Sequence, residues 1–413
     1  MWIEIAARNL RKNWRRSLFS IFAICIGFTA VNIFGGFTAY IFENLRESFI
    51  YGGGNGHVTV VKKGFLDQGR IDPVNYLLDE TIQSSLQQQL DKLSGIAVVG
   101  RQLRINGLVS NGEVSTIFIA EGRLFSAYNA MRERARGVVS AKNYDGRRLL
   151  DSNIYEIALS EGLSRALNLT LESDGMVTAP TVDGYVNALD FKVAQVFRGA
   201  PETLDDKLLV VPLSFAQSLY DTRSVERVNI LLDEDTDTQN FIRRLQQACV
   251  TAKLDVDIRS WDELSIFYNK LKNMFDILFA FIFVIVFLIS AMSVVNTVSM
   301  AVLERTREIG TLRALGANRT QILRLFLIES GLLALIGVTA GLVLTLLIWW
   351  GIGESGLSWV PPIFTARNPL EVYLVPSYLM LAAVVFMSLS VIATLSPVWR
   401  ANQRGIVDAL GHI

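Results

Sequence analysis

The stretch that decides the fold is Glu304-Arg-Thr-Arg-Glu-Ile-Gly-Thr-Leu-Arg-Ala-Leu-Gly-Ala317, which lies between two long apolar runs. It carries three arginines and two glutamates. Such charges cannot lie in hydrocarbon, because each costs about 2.5–3.5 kcal/mol at the centre of a bilayer. The segment must therefore protrude from the membrane, and its excess of arginine predicts the cytoplasmic side. A short charged helix between two spans is suited to receiving force from a cytoplasmic partner.

Four windows of the 413-residue chain contain no charged residue: 17–42, 277–303, 331–353 and 372–399. Each is long enough to cross a bilayer, which takes about 20 helical residues. Hydrophobic residues make up 51% of the chain and charged residues only 19%. This composition indicates a membrane protein. The 39 basic and 39 acidic residues cancel, so there is no basic surface of the kind that nucleic acid requires.

The distribution of basic residues predicts that both termini are cytoplasmic, because lysine and arginine are enriched in cytoplasmic loops. The connection between the third and fourth spans, by contrast, carries Arg367 alone beside Glu354 and Glu371. The basic clusters that we expect on the cytoplasmic side are Arg8, Arg11, Lys12, Arg15, Arg16, Arg305, Arg307, Arg313, Arg319, Arg324, Arg400 and Arg404.

The predicted fold class is an α-helical membrane protein with four transmembrane helices, in one-plus-three order. A large extracytoplasmic α+β domain is inserted between the first and second spans. The predicted segments are a cytoplasmic interfacial helix (1–16), the first span (17–43), the external domain with its stalk (44–272), the second span (273–303), a cytoplasmic coupling helix and turn (304–320), the third span (321–353), a short external loop (354–371), the fourth span (372–399) and a cytoplasmic tail (400–413).

The inserted region shows mixed strand and helix signals. His57–Val61 and Val114–Ala120 are rich in β-branched residues, as strands are. Leucine and isoleucine recur every fourth residue from Leu78 to Leu90, which predicts an amphipathic helix. Gly52-Gly-Gly-Asn-Gly56 lacks the spacing of a dinucleotide-binding loop, and we interpret it as a turn-forming linker.

Catalytic motifs are absent from the sequence. There is no G-x-x-x-x-G-K-[ST] segment to hold nucleotide phosphates, no H-E-x-x-H and no G-x-S-x-G. Two cysteines and two histidines, far apart in sequence, give no metal-site pattern. We therefore expect no catalytic, cofactor-binding or metal-ligating residue in this chain, and no enzyme activity of its own.

The charged segment has the apolar spacing and the end-capping residues that predict a short helix. Ile309 and Leu312 are expected to share a face with Leu315 or Gly316. Gly316 suits the left-handed position that ends a helix, and Asn318 with Gln321 forms a capping-box pair for the next helix. An ordinary charged loop that only fixes topology is the alternative. Glu329, near the start of the third span, is expected at the cytoplasmic headgroups, a functional intramembrane acid being the alternative.

Several stretches resemble a known family. Glu304–Ala317 followed by Ile322-Leu-Arg-Leu-Phe-Leu-Ile-Glu-Ser-Gly331 is similar to the signature of MacB/FtsX-type ABC transporter permeases. The opening Ala7-Arg-Asn-Leu10 and the one-plus-three plan with its large external domain also resemble that superfamily. Three stretches look more like the lipoprotein-releasing (Lol-type) branch: Ile157-Ala-Leu-Ser-Glu161, Leu208-Leu-Val-Val-Pro-Leu213 and Ser260-Trp-Asp-Glu-Leu264. The external region is too long for the compact domain of division-type FtsX proteins, which favours a MacB-like or Lol-like exporter.

The resemblance implies a permease of the bacterial inner membrane that pairs with a second permease subunit, a homodimer being favoured over a heterodimer. Two copies of an ABC ATPase would dock and use ATP-Mg, so this chain would need no cofactor. Membrane lipids and a periplasmic adaptor or acceptor are further expected partners. The residues that would couple to the ATPase are Glu304, Arg305, Arg307, Glu308, Ile309, Gly310, Leu312, Arg313, Leu315 and Gly316.

Two functions are open. The first is extrusion or release of a hydrophobic or lipidated substrate from the outer face of the inner membrane, by mechanotransmission. An apolar cavity at the first and second spans would suit acyl chains, with candidate lining residues Phe34, Phe37, Phe279, Phe281 and Phe283, although ordinary packing would also explain these rings. The second is an FtsX-like, non-transport regulator whose external domain activates a cell-wall hydrolase or a signalling partner.

Overall fold

In a computed structural model of the protein, the described residues are 2–12, 14–69, 71–137, 142–198, 201–360 and 367–402. They form two compact units. The helical unit comprises residues up to 42, 271–357 and the chain from 370 onward, and the inserted domain comprises 43–270 with 358–369. The predicted cytoplasmic tail lies outside the described residues from position 403.

The α-helices are α1 Trp2–Lys12, α2 Trp14–Glu47, α3 Phe65–Gln68, α4 Glu80–Leu90, α5 Phe125–Arg132, α6 Glu161–Ala166, α7 Leu213–Tyr220, α8 Thr238–Thr251, α9 Trp261–Leu264, α10 Ile266–Glu304, α11 Thr306–Ala314, α12 Arg319–Ser355 and α13 Pro376–Asn402. The strands are β1 Val58–Lys62, β2 Ile96–Ser110, β3 Ser115–Arg123, β4 Tyr144–Gly146, β5 Glu156–Ser160, β6 Asp174–Pro180, β7 Val186–Phe197, β8 Leu208–Pro212, β9 Arg227–Leu232, β10 Val256–Ser260, β11 Ser358–Trp359 and β12 Asn368–Pro369.

Among the residues that the structure describes, four helices are long and apolar enough to cross a membrane, as the uncharged windows predict. They are α2 with the π-helical turn that follows it, α10, α12 and α13 up to Arg400. One precedes the inserted domain and three follow it, so the predicted fold class is confirmed. The first and second of these helices extend past the uncharged windows, to Glu47 and back to Ile266.

Glycines let α2 and α12 approach closely within the helical unit. A Cβ atom at Gly337 would lie 2.8 Å from the Ile24 side chain, and one at Gly341 would lie 2.9 Å from Phe28. Thr29 Oγ1 donates a hydrogen bond of 3.0 Å to the Gly341 carbonyl. Small residues and interhelical hydrogen bonds of this kind hold membrane helices together, because hydrocarbon supplies no hydrophobic drive between them. The two helices therefore form one tightly packed pair.

The inserted domain is built on a ten-stranded mixed sheet in the order β10-β1-β9-β2-β3-β8-β5-β7-β4, with β6 paired to β2 and β7. The β3–β8 and β5–β7 pairs are parallel, and the other pairs are antiparallel. Side chains alternate between a buried and a more exposed face along β2 and β3. Helices α4, α7 and α8 add Leu86, Phe215 and Phe241 to the buried side of the sheet. One hydrophobic core thus unites the domain.

The glycine-rich segment after α2 is a hydrogen-bonded turn. Tyr128 Oη donates to the Gly52 carbonyl at 3.1 Å, and Asn229 Nδ2 donates to the Gly54 carbonyl at 3.0 Å. Gly56 has a φ of +65°, and a Cβ there would lie 2.5 Å from the carbonyl oxygen of Ile230. The glycines are therefore required by close backbone approach and a left-handed conformation. The predicted linker is a fixed joint between α2 and β1.

His57 supports this joint from inside the domain. The residue is 9% exposed, and its Nδ1 accepts a hydrogen bond of 3.1 Å from the backbone N–H of Leu232. Burial, followed by the positive charge of Arg46, lowers the pKa of His57 from 6.5 to about 4. A neutral imidazole is therefore part of the folded domain at physiological pH.

This pKa predicts a specific pH dependence. Because the pKa is lower in the folded state than in the unfolded chain, the unfolded chain takes up the proton first as the pH falls. Stability is full above about pH 6.5 and is lost as the pH falls towards 4, by up to about 3 kcal/mol. Thermal unfolding of the detergent-solubilised protein, followed by circular dichroism, should show a smaller acid sensitivity for His57→Gln. Equal acid sensitivity in both proteins would contradict this account.

Candidate functional site

The charged segment folds as a short helix between two sharp breaks. Arg305 leaves the helical conformation, with φ −101° and ψ 14°, between the end of α10 and the start of α11. At the other end, Gly316 has a φ of +100° and donates to the Arg313 carbonyl, while Ala317 N donates to Leu312 O at 2.9 Å. This is the Schellman pattern that ends a helix at a left-handed glycine. Asn318 and Gln321 form the predicted capping box of α12.

One face of α11 is buried in the helical unit, and the opposite face is exposed. Ile309 is 8% exposed and packs in an apolar cluster with Ile322 and Phe326. Leu312 is 41% exposed and Leu315 is 81% exposed. The predicted common face of Ile309, Leu312 and Leu315 is therefore divided: the first faces the chain's own helices, and the other two face outward.

The remaining predicted coupling residues are also divided between the buried and the exposed face of α11. Arg305, Thr306 and Gly310 are buried with Ile309. Arg313 is half-buried, and the exposed residues are Glu304, Arg307, Glu308 and Gly316. The exposed surface of α11 thus combines charges of both signs with two leucines, which is a composition suited to contact with another protein.

A buried ion pair ties the first break of the segment to α12. Arg305 Nη1 donates to both carboxylate oxygens of Glu329, at 3.2 and 3.4 Å, and each side chain is 10% exposed. Arg305 Nη2 also lies 3.5 Å from the carbonyl oxygen of Asn9 in α1. Glu329 therefore lies inside the helical unit. A buried carboxylate of this kind is stabilised by its paired cation. That Glu329 lies at the level of the cytoplasmic headgroups stays a prediction.

A second ion pair joins the same break to α2. Arg16 contacts Glu304, the residue before Arg305, and both side chains are 45% exposed. Arg16 and Glu329 line a single cavity of about 20 Å³ together with Ser17, Thr297 and Ser330. A cavity of that size has room for one water molecule, and most of its wall is apolar, from residues such as Val298, Ala301, Phe326 and Leu333. Four charges from α2, the α10–α11 break and α12 thus gather at one place.

The helix α1 packs against α12. Ala6 is fully buried, whereas Arg8 and Arg11 are exposed. The predicted interfacial helix is therefore also an integral part of the helical unit, on the side where Arg305 reaches Asn9.

Three of the five candidate cavity phenylalanines form a ladder of stacked rings. Phe34 stacks on Phe279 with ring centroids 5.9 Å apart, and Phe279 stacks on Phe283 at 6.4 Å. The ladder extends through Phe275 and Phe287, which the sequence analysis did not include although they continue the four-residue spacing. Phe281 is 65% exposed and Phe37 is half-buried. The rings of the ladder therefore fill space against one another.

Within the part of the chain that the structure describes, no group of three His, Cys, Asp or Glu residues could hold a metal ion. Cys25 and Cys249 are both buried free thiols. Burial raises the pKa of the Cys249 thiol to about 11, so it is protonated at neutral pH.

The division of α11 predicts opposite effects for two similar substitutions. Ile309→Asp would bury a carboxylate in the apolar cluster and should lower stability by about 3 kcal/mol or more, by the cost of an unpaired buried charge. Leu315→Asp should change stability by less than about 0.5 kcal/mol, since that side chain is exposed. Thermal unfolding in detergent measures both. Equal destabilisation by the two changes would contradict the assignment of the buried face.

Comparison with known proteins identifies two family segments. Residues 17–248 match the MacB-like periplasmic core domain, and residues 280–406 match the FtsX-like permease C-terminal domain. The solved periplasmic region of MacB from Actinobacillus actinomycetemcomitans covers 53% of this chain and 94% of that chain, with 15% identity and a TM-score of 0.37.

Relatives with similar sequences include permeases from several organisms. An uncharacterised ABC transporter permease, MJ1507 of Methanocaldococcus jannaschii, is 23% identical over 84% of this chain and 83% of its own length. The lipoprotein-releasing system transmembrane protein LolC of Neisseria meningitidis is 25% identical over 62% of this chain and 65% of its own. The pyoverdine export ATP-binding/permease protein PvdT of Pseudomonas entomophila is 32% identical over 36% of this chain and only 23% of its own.

The two family segments together span most of the chain, and the first alone covers more than half of it. The first match begins within the first membrane-length helix and runs through most of the inserted domain, and the second begins within the second membrane-length helix. This membership places the chain in the bacterial inner membrane and implies an ATPase partner. The chain belongs to the MacB/FtsX-type family of ABC transporter permeases.

Proposed function

We propose that this permease couples ATP hydrolysis by a separate ATPase to the extrusion or release of a hydrophobic or lipidated substrate from the outer face of the inner membrane. The observation that carries the proposal is the two-sided helix α11, which is anchored to the spans by Ile309 and Arg305 while it exposes Leu312 and Leu315. A helix with one face in the membrane unit and one face free can pass movement from a docked protein to the spans.

The substrate class follows from the kinds of relatives that match. One is named for lipoprotein release and another for pyoverdine export. One name describes release and the other describes export, and both favour transport over regulation for this chain. Lipoproteins and lipopeptide-like molecules carry apolar groups, and apolar side chains of α10 such as Ile277, Phe281 and Met292 are exposed. A second permease subunit placed against α10 would enclose such groups.

The nucleotide chemistry is assigned to the partner, because the sequence holds no phosphate-binding loop. The exposed face of α11 is the surface proposed to meet that ATPase. Leu312 and Leu315 would supply the desolvated centre of the contact, and the charges of Arg307 and Glu308 would lie at its rim, where they contribute mainly to encounter and specificity. Both termini and α11 are then cytoplasmic, in line with the clusters of arginine.

The proposed topology can be tested by cysteine labelling. Asp174 and Thr311 are both exposed in the structure, so a cysteine at either position can react wherever the reagent reaches it. In intact spheroplasts, an impermeant maleimide should label Asp174→Cys and should not label Thr311→Cys until the membrane is permeabilised. The buried native cysteines contribute little background. Labelling of Thr311→Cys alone in intact cells would overturn the topology.

Docking of the ATPase is tested by Leu312→Asp and Leu315→Asp. Each places a charge in a contact that must be dry, and we expect at least about a tenfold loss of ATPase co-purification, as for truncated interface centres. Val114→Asp is the matched control, because Val114 is an exposed apolar residue of the inserted domain whose exposure lies between those of Leu312 and Leu315, and it should co-purify as the wild type does. Normal docking of both α11 variants would refute the coupling role.

The purified wild-type complex distinguishes the two functions. Reconstituted with ATP, a transporter should release a bound lipidated molecule, which mass spectrometry of the complex would identify. The permease without its partner should hydrolyse no ATP. Stable capture of a cell-wall hydrolase by the inserted domain, with no lipid or lipoprotein bound and none released, would instead favour the regulatory function.

A further inference from the structure

Two adjacent residues at the α10–α11 break, Glu304 and Arg305, each form an ion pair with a different helix. Glu304 contacts Arg16 of α2, and Arg305 contacts Glu329 of α12. Any displacement of α11 therefore pulls on both pairs together. We propose that Glu329 exchanges its partner from Arg305 to Arg16 when α11 moves, so that these four charges form a two-position latch between the coupling helix and the spans. The proposal rests on the coupling role of α11 and specifies how its movement enters the membrane.

Glu329 cannot simply release Arg305. Its side chain is 10% exposed, and a buried carboxylate without a cation is strongly destabilising. A movement of α11 that withdraws Arg305 therefore leaves two outcomes: Glu329 takes up a proton, or another cation replaces Arg305. The latch uses the second outcome. Among the described residues that line the cavity beside Glu329, Arg16 is the cation.

Arg16 is suited to be that replacement. Its present pair with Glu304 is half-exposed, and ion pairs of this kind contribute little to stability because water screens them. Ser17, Thr297 and Ser330 are among the residues that line the space that it shares with Glu329. That space, about 20 Å³, has room for one water molecule, which can bridge the charges while partners change.

The helices that carry Arg16 and Glu329 are held to each other. Gly337 and Gly341 bring α12 into contact with Ile24 and Phe28 of α2. The Ser20 hydroxyl also lies 2.7 Å from the hydroxyl of Thr297 in α10, which ties α10 to α2 two turns before the break. The proposed movement therefore takes place in the segment after Thr297, which carries Glu304 and Arg305, and it requires Val302 and Ile309 to shift within their buried cluster. Two fixed charges and two movable ones are the arrangement that a two-position latch needs.

The test is a double-mutant cycle in the complex reconstituted with its ATPase. The variants are Arg16→Gln, Glu329→Gln and their combination, with turnover measured per assembled complex. Arg15→Gln is the matched control, because Arg15 is the exposed neighbour of Arg16 and its loss removes the same charge. We expect Arg16→Gln and Glu329→Gln each to lower permease-coupled ATP turnover about tenfold, within the usual range of coupling between sites. The double variant should be no slower than Glu329→Gln, and Arg15→Gln should stay within about twofold of the wild type.

If Arg16 has only a structural role, the variants should combine differently in their effects on ATP turnover. If Arg16 acted only through its contact with Glu304, its effect would multiply with that of Glu329→Gln and would be non-additive with Glu304→Gln instead. That result, or an Arg16→Gln variant as active as Arg15→Gln, would overturn the latch while leaving the proposed function intact. A wild-type permease that neither binds nor stimulates an ATPase would overturn both. Thermal unfolding of the Arg16→Gln permease should match the wild type, which separates a coupling defect from a folding defect.

Discussion

The ion pair between Arg305 and Glu329 is the contact on which the turn between the second and third membrane-length helices depends. Glu329 lies ten residues into α12, about 15 Å along the helix axis. To reach it, the break after α10 must lie beside α12 at that depth, and α11 must leave the bundle from there. Ile309 then fills the apolar cluster beside the pair. Neither the guanidinium of Arg305 nor the carboxylate of Glu329 could be buried without the other. Their pairing thus fixes the position of the whole charged segment.

The four membrane-length helices differ in how much of their surface the chain itself covers. The helix α2 is the most buried of them and α10 is the least. Close packing at Gly337 and Gly341 explains the first observation, because contact between helix backbones needs residues without bulky side chains. Helix α10 instead turns long apolar side chains outward, and Met292 is 73% exposed. In hydrocarbon these side chains are satisfied without any partner, so the exposed surface of α10 is compatible with lipid or with a second subunit.

Local sequence rules predicted the helices of the membrane unit and where they end. Long-range contacts decided which of their residues are buried or paired. Uncharged length predicted the four spans, and glycine and asparagine predicted the end of α11 at Gly316 and the start of α12 after Asn318. The partner of Arg305 could not be predicted in this way, because 24 positions separate it from Glu329 and no periodicity links them. The separation of Ile309 from Leu312 was missed for a related reason. Both are apolar residues near one side of a short helix, and only the position of α12 decides which of them is covered.

The joint after α2 limits how the last turn of this helix can move against the sheet of the inserted domain. Glycine-rich segments between a helix and a strand commonly act as swivels, yet here the backbone carbonyls of Gly52 and Gly54 are held by Tyr128 and Asn229, each from a different element of the domain. Glu47, in the last turn of α2, is likewise bound by the backbone N–H of Arg136. The end of the helix is thus held to the inserted domain by hydrogen bonds at several points. Rotation of this last turn would have to break these hydrogen bonds, so the chain from Glu47 to Gly56 moves together with β1 as a part of the inserted domain.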